Sequence, residues 1–224
     1  PPADTPDTSS PTISRPPCLR RGRAGALSFP VVRFRAAGTG SVSDVRSIAV
    51  FGSSEPSEGE PPYEEARRVG ALLASAGYRV VTGGYGGVME AASRGAVESG
   101  GTAVGVACRI FPGRRPNRFL TETLDTPDLY ERTRQLVDRA GGYVVLPGKS
   151  GTLAELFWLF ALRRAGCLGP RPVVLLGGAF RPLLRHLAQA GTIEPEQFDG
   201  TRVVDTPEEA LEAIEGYLAG VREV

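Results

Sequence analysis

A strand-like run, Val144-Val145-Leu146, leads through Pro147-Gly148-Lys149-Ser150-Gly151-Thr152 into an apolar segment that carries Glu155. The order is that of a buried strand, a tight glycine turn and the first turn of a helix. Small residues let backbone N–H groups approach a ligand closely, and a helix N-terminus carries about half a positive charge. Gly148, Lys149, Ser150, Gly151 and Thr152 therefore form a turn suited to an anion, with a nucleotide phosphate as the first expectation. Glu155 lies one turn into the helix, where its carboxylate can act on a ligand held there.

Two further glycine turns follow strand-like runs: Gly52-Ser53-Ser54, and Gly83-Gly84-Tyr85-Gly86-Gly87-Val88-Met89. A glycine turn after a strand is also simply how a chain reverses tightly. Three such turns at the carboxyl ends of parallel strands can converge on one cleft. That makes Gly52, Ser53, Gly84, Gly86, Gly87 and Met89 candidates for nucleotide or phosphate binding. Elsewhere the spacing is less telling. Glu131, Arg132, Arg134, Asp138 and Arg139 read on their own as a solvated helix face. The basic segment from Arg109 to Arg118 is either a solvated loop or a lid at the cleft mouth. Phe157, Trp158 and Phe160 read as core or subunit-interface residues.

Placing these residues requires an alternation of strands and helices. Strand-like runs cover 47–51, 78–82, 102–107, 119–123, 143–146, 172–176 and 202–204. Helical segments cover 62–76, 87–99, 127–139, 151–165, 181–190 and 207–219. The last opens with Asp205-Thr206-Pro207-Glu208-Glu209, a capping hydroxyl followed by proline and two acids. Ile48-Ala49-Val50-Phe51 and Val173-Val174-Leu175-Leu176 are apolar without alternation, as strands covered on both faces are. The fold class expected is α/β: a doubly wound, mostly parallel, Rossmann-like sheet with helices on both faces. Ligands bind such sheets beyond the carboxyl ends of the strands.

Residues 1–44 have a different character. The first 17 are rich in Pro, Ser and Thr, and 15–35 are basic without an acid. We expect a disordered tail over 1–44 and one Rossmann-like domain over 45–224. The arginine-rich part resembles a targeting peptide in composition, whereas Asp4 and Asp7 argue against one. The 26 basic and 25 acidic residues leave a net charge of +1, giving no reason to expect a nucleic-acid partner. No run reaches the length of a membrane span, so no membrane partner is expected. Cys18, Cys108 and Cys167 are odd in number and far apart, which fits a reducing, cytoplasmic setting better than a disulfide framework. His186 is the only histidine and reads as an ordinary helix residue. No metal and no cofactor are expected.

The segment Pro147-Gly148-Lys149-Ser150-Gly151-Thr152-Leu153-Ala154-Glu155 resembles the P-G-G-x-G-T-x-x-E signature of the LOG ("Lonely Guy") proteins, with Lys149 in place of the second glycine. The Gly-Ser-Ser and Gly-Gly-x-x-Gly-x-Met turns are similar to the family's as well, and the resemblance spans about 46–178. It implies a phosphoribohydrolase that cleaves the N-glycosidic bond of nucleoside 5′-monophosphates, releasing base and ribose 5-phosphate. It implies too that Arg132, in Leu129-Tyr130-Glu131-Arg132-Thr133, matches the catalytic arginine of M-x-x-R-K, partnering Glu155. Thr133 replaces the family's lysine, and Lys149 is a candidate replacement cation. LOG proteins are usually dimers or higher assemblies, so a homodimer is implied. The same fold includes molybdenum-cofactor carriers, so the alternative is a non-catalytic binder of a phosphorylated small molecule.

Overall fold

The computed structural model describes residues 46–111 and 113–222. The expected tail over 1–44, with Cys18, lies outside the described residues. Among them the elements run β1 (Ser47–Phe51), α1 (Pro61–Ser75), β2 (Arg79–Thr82), α2 (Val88–Glu98), β3 (Ala103–Cys108), β4 (Glu122–Thr126) and α3 (Leu129–Asp138). They continue with β5 (Gly142–Val145), α4 (Ser150–Arg164), β6 (Val173–Leu176), α5 (Phe180–Gln189), a 3-10 turn at Pro195–Phe198, β7 (Thr201–Val204) and α6 (Pro207–Arg222).

The strands form one sheet in the order β4-β3-β2-β1-β5-β6-β7, every neighbouring pair parallel. Along β1, Ile48 and Val50 join a core with Tyr63 and Leu73 of α1, Val88 and Ala92 of α2 and Ile214 of α6. Ala49 and Phe51 join the opposite core with Leu136 of α3, Leu156, Leu159 and Phe160 of α4 and Phe180 of α5. Both faces are covered, which is why β1 and β6 carry no polar alternation. Each large side chain buried this way contributes roughly 1.5–3 kcal/mol. The fold is the doubly wound α/β sheet expected from the pattern.

Two close approaches set how tightly α1 packs on α2. A Cβ on Gly70 of α1 would lie 2.0 Å from the Ala92 carbonyl oxygen, and one on Gly95 of α2 would lie 1.9 Å from that of Arg67. The two helices therefore touch backbone to backbone, and no larger residue fits either position.

One strand differs from its expected place. β4 covers Glu122–Thr126 rather than 119–123. Leu120 instead plugs the notch left by two glycines, where a Cβ on Gly105 would lie 2.3 Å from its Cδ1. Thr121 Oγ1 meanwhile pairs with both the N–H and the carbonyl of Ala103. β4 is a sheet edge with mostly exposed side chains, so its sequence has no apolar run to mark it. Helix α3 starts at Leu129, where Asp128 caps it by accepting from the Glu131 N–H at 2.8 Å. At α6 the expected cap is formed: Thr206 Oγ1 accepts from Glu209 N–H, and the Glu209 carboxylate accepts from the N–H groups of Asp205 and Thr206.

The chain runs from β1 outward to β4, then returns to pair β5 on the other side of β1. The carboxyl ends of β1 and β5 thus flank the switch point, where such sheets open a crevice.

Candidate active site

Four loops meet above that crevice, and hydrogen bonds lace them in the order of their strands. After β1, the Ser53 N–H donates to Pro147 O in the β5 loop at 3.3 Å, and Ser53 O accepts from Val88 N–H at the start of α2 at 2.8 Å. The β3 loop is tied to the β2 loop through Asn117, whose N–H donates to Gly84 O and whose side-chain amide donates to Tyr85 O. Gly87, at φ 68°, enables the tight entry into α2: a Cβ there would lie 2.4 Å from Ser53 O.

Helix α4 starts in this cleft without a capping side chain. The first amides of the helix, those of Ser150, Gly151 and Thr152, find no acceptor among the described residues. Beside Gly151 a Cβ would meet nothing within 4 Å, so the space in front of the helix is open. Gly148 is needed for a different reason: a Cβ there would lie 2.2 Å from Thr152 Oγ1. Open amides, the helix dipole and an unfilled approach are the features that an anion site requires.

Lys149 is the N-cap residue, at φ −89°, an extended backbone that does not require glycine. This is how the chain accommodates the departure from a second glycine. Lys149 is the only lysine in the sequence. Its ammonium, 74% exposed, pairs with the Glu55 carboxylate across the cleft mouth.

Arg132 and Glu155 meet at the floor. Arg132 donates through Nη1 to Glu155 Oε1 at 3.2 Å, through Nε to Val106 O at 3.0 Å and through Nη2 to Gly83 O at 3.4 Å. The two side chains are only 10% and 14% exposed. Burial raises the pKa of Glu155 above the ordinary carboxylate value, against the opposing pull of Arg132's charge and hydrogen bond. A carboxylate kept partly desolvated beside a fixed guanidinium is a usual arrangement at reacting centres.

The cleft is lined by Gly52, Ser53, Met89, Arg132, Lys149, Gly151, Thr152 and Glu155, all singled out from the sequence. Gly84, Gly86, Gly87, Gly148 and Ser150 shape the surrounding turns without lining the space itself. The Ser53 N–H and C=O are occupied by the lacing between loops, and its hydroxyl accepts from the Glu55 N–H at 3.2 Å. Sequence reasoning missed Tyr85 and Glu55, which also line the cleft, while Phe111 and Arg114 line it from the 109–118 segment that the sequence left open between a solvated loop and a lid at the cleft mouth. Tyr85 was visible as the one large residue in a run of glycines. Its hydroxyl is anchored to Cys108, accepting from N–H at 2.8 Å and donating to O at 3.0 Å.

A family model described as "Possible lysine decarboxylase" matches residues 89–214. The cytokinin riboside 5′-monophosphate phosphoribohydrolase of Mycobacterium tuberculosis is 32% identical over 176 residues, covering 75% of this chain and 92% of that protein. The protein of the same name from Rhodococcoides fascians is 31% identical, covering 79% of this chain and 89% of its own length. Among solved structures, the molybdenum cofactor binding protein from the phototrophic bacterium Rippkaea orientalis matches with a TM-score of 0.61 at 25% identity. That match covers 77% of this chain and 96% of the other.

Proposed function

The chain belongs to the family described as "Possible lysine decarboxylase", the LOG proteins; from that premise we propose that it is a phosphoribohydrolase acting on nucleoside 5′-monophosphates. The observation that carries this reading is the buried Arg132–Glu155 pair in the same cleft as the open N-terminus of α4. The amides of Ser150, Gly151 and Thr152 hold the 5′-phosphate. The ribose then lies over the floor, with its anomeric carbon beside Glu155. As the C1′–N bond breaks, C1′ acquires oxocarbenium character. The Glu155 carboxylate opposes that charge and orients the incoming water. Water supplies the oxygen at C1′, the base leaves with the bonding electrons and takes up a proton, and ribose 5-phosphate remains. Arg132, fixed at three points, holds Glu155 in register; a guanidinium suits that task because its donors form a rigid fork.

The decarboxylase of the family's description finds little support in these side chains. A Schiff-base lysine is activated by desolvation or by a neighbouring cation. Lys149 is instead largely exposed and paired with a carboxylate.

A homodimer is part of the proposal. On α4 the exposed positions Gly151, Ala154, Trp158 and Ala161 recur at helical spacing as an apolar stripe, with the exposed polar residues of the helix, Ser150 and Arg164, at its two ends. Such a stripe marks an interaction surface, and a second copy of this chain is its proposed occupant.

The test is release of free base from a panel of nucleoside monophosphates. Glu155→Gln keeps the shape and removes the charge, so kcat is expected to fall roughly a hundredfold or more while nucleotide binding persists. A variant as active as the parent would remove Glu155 from the mechanism. The likeness to the molybdenum cofactor binding protein favours a second reading, a carrier of a phosphorylated ligand. Tight nucleotide binding with no base released from any monophosphate would select it.

A further inference from the structure

We propose that the β3-loop end of the cleft reads the base, and that Arg114 selects 6-oxopurine nucleotides over 6-aminopurine ones. The inference rests on the nucleoside-monophosphate reading above and specifies its substrate class. Neighbouring strands lie about 4.8 Å apart. From the β5 loop across β1 and β2 to the β3 loop is three such steps, roughly 14 Å. That span is comparable to a mononucleotide measured from its phosphate to the far edge of its base. With phosphate at α4 and the glycosidic bond over Glu155, the base falls among Met89, Tyr85, Phe111 and Arg114.

This end of the cleft is built. The rings of Tyr85 and Phe111 meet edge to face, 5.8 Å apart at 87°. The Arg114 guanidinium lies 5.3 Å from the Phe111 ring centre and 5.9 Å from that of Tyr85. Arg132 approaches the same Tyr85 ring at 5.9 Å, so base end and catalytic floor share one wall. Tyr85 is pinned to Cys108 through its hydroxyl, and the loop carrying Arg114 is pinned back by Asn117.

No carboxylate pairs with Arg114 among the described residues, so its N–H groups remain available to a ligand. A guanidinium only donates. It matches the O6 and N7 acceptors of guanine or hypoxanthine bidentately, whereas adenine presents an amino donor beside N7. The carboxylates lining the cleft, Glu55 and Glu155, are already engaged by Lys149 and Arg132. The Tyr85 hydroxyl is engaged too. The base end therefore offers guanidinium donors to a 6-oxo group and no free carboxylate to a 6-amino group.

The experiment compares kcat/KM for GMP, IMP and AMP with the full chain and with Arg114→Ala and Arg114→Gln. The expected result is a preference for GMP and IMP of roughly tenfold or more. Arg114→Ala should bring the ratio close to one by lowering the efficiency for GMP and IMP. Arg114→Gln should move it towards AMP, because a glutamine amide pairs with N6 and N7 of adenine. A parent chain that cleaves AMP as efficiently as GMP, or an Arg114→Ala variant that keeps the ratio, overturns the inference and leaves the hydrolase reading standing. If no monophosphate is cleaved, the hydrolase reading falls, and calorimetric titration of GMP and AMP decides this one. Tighter GMP binding that Arg114→Ala abolishes supports it; equal or absent binding overturns it.

Discussion

At the scale of residues, the proposed mechanism makes the buried Arg132–Glu155 pair responsible for both the chemistry and its pH range. Burial favours the protonated form of Glu155 and Arg132 favours the ionised one; the net shift is upward from 4.5. The reaction needs the carboxylate. Activity should therefore be lost on acidification at a higher pH than for an ordinary glutamate. Removing Arg132 takes away the lowering influence, so the acid limb of kcat/KM should move further up in Arg132→Ala. A pH profile of both proteins checks this. The second ionisation of the substrate phosphate, at about 6, is common to both and cancels in the comparison. Coincident acid limbs would show that Arg132 does not act on Glu155.

At the scale of elements, the turns matter as much as the side chains they carry. Gly83 has no positive φ to justify it. A Cβ there would lie 1.8 Å from Arg132 Nη2 and 2.7 Å from Met89 Sδ, so the residue is small to make room for the guanidinium. Gly83→Ala should push Arg132 out of register with Glu155. We expect kcat to drop by roughly tenfold to a hundredfold, with a stability loss only on the order of 1 kcal/mol because a flexible side chain can yield. Steady-state kinetics beside thermal unfolding separates the two effects. Most of these elements were legible in the sequence. The covered strands announced themselves as unbroken apolar runs, and the start of α4 as small residues before Glu155. β4 was misplaced because an edge strand needs no such run. For Phe111 and Arg114 the sequence left the choice between solvated loop and cleft lid open, for another reason. Their place depends on how Tyr85 and Asn117 fasten one loop to another across a strand boundary, and no local spacing encodes that.

For the whole molecule, the cleft lies where the strand order reverses, which pairs Phe51 at the carboxyl end of β1 with Val145 at that of β5, although β2, β3 and β4 intervene in the chain. Helix α4 connects this cleft to the surface: it opens at the floor and then presents its apolar stripe outward. Trp158, 46% exposed, is the largest member of that stripe. Trp158→Glu should turn a dimer into a monomer, as read by light scattering at matched concentration. A parent chain that is already monomeric at high concentration would remove the second copy from the account.

The solitary lysine carries one more consequence. Reagents that acylate amines find a single side-chain target in this sequence, Lys149, and it stands largely exposed at the rim of the cleft. The chain thus has a built-in address for a covalent reporter. A fluorophore attached there would sit where a ligand enters, and cleft occupancy could be followed by its emission without introducing a cysteine or altering the residues on the floor.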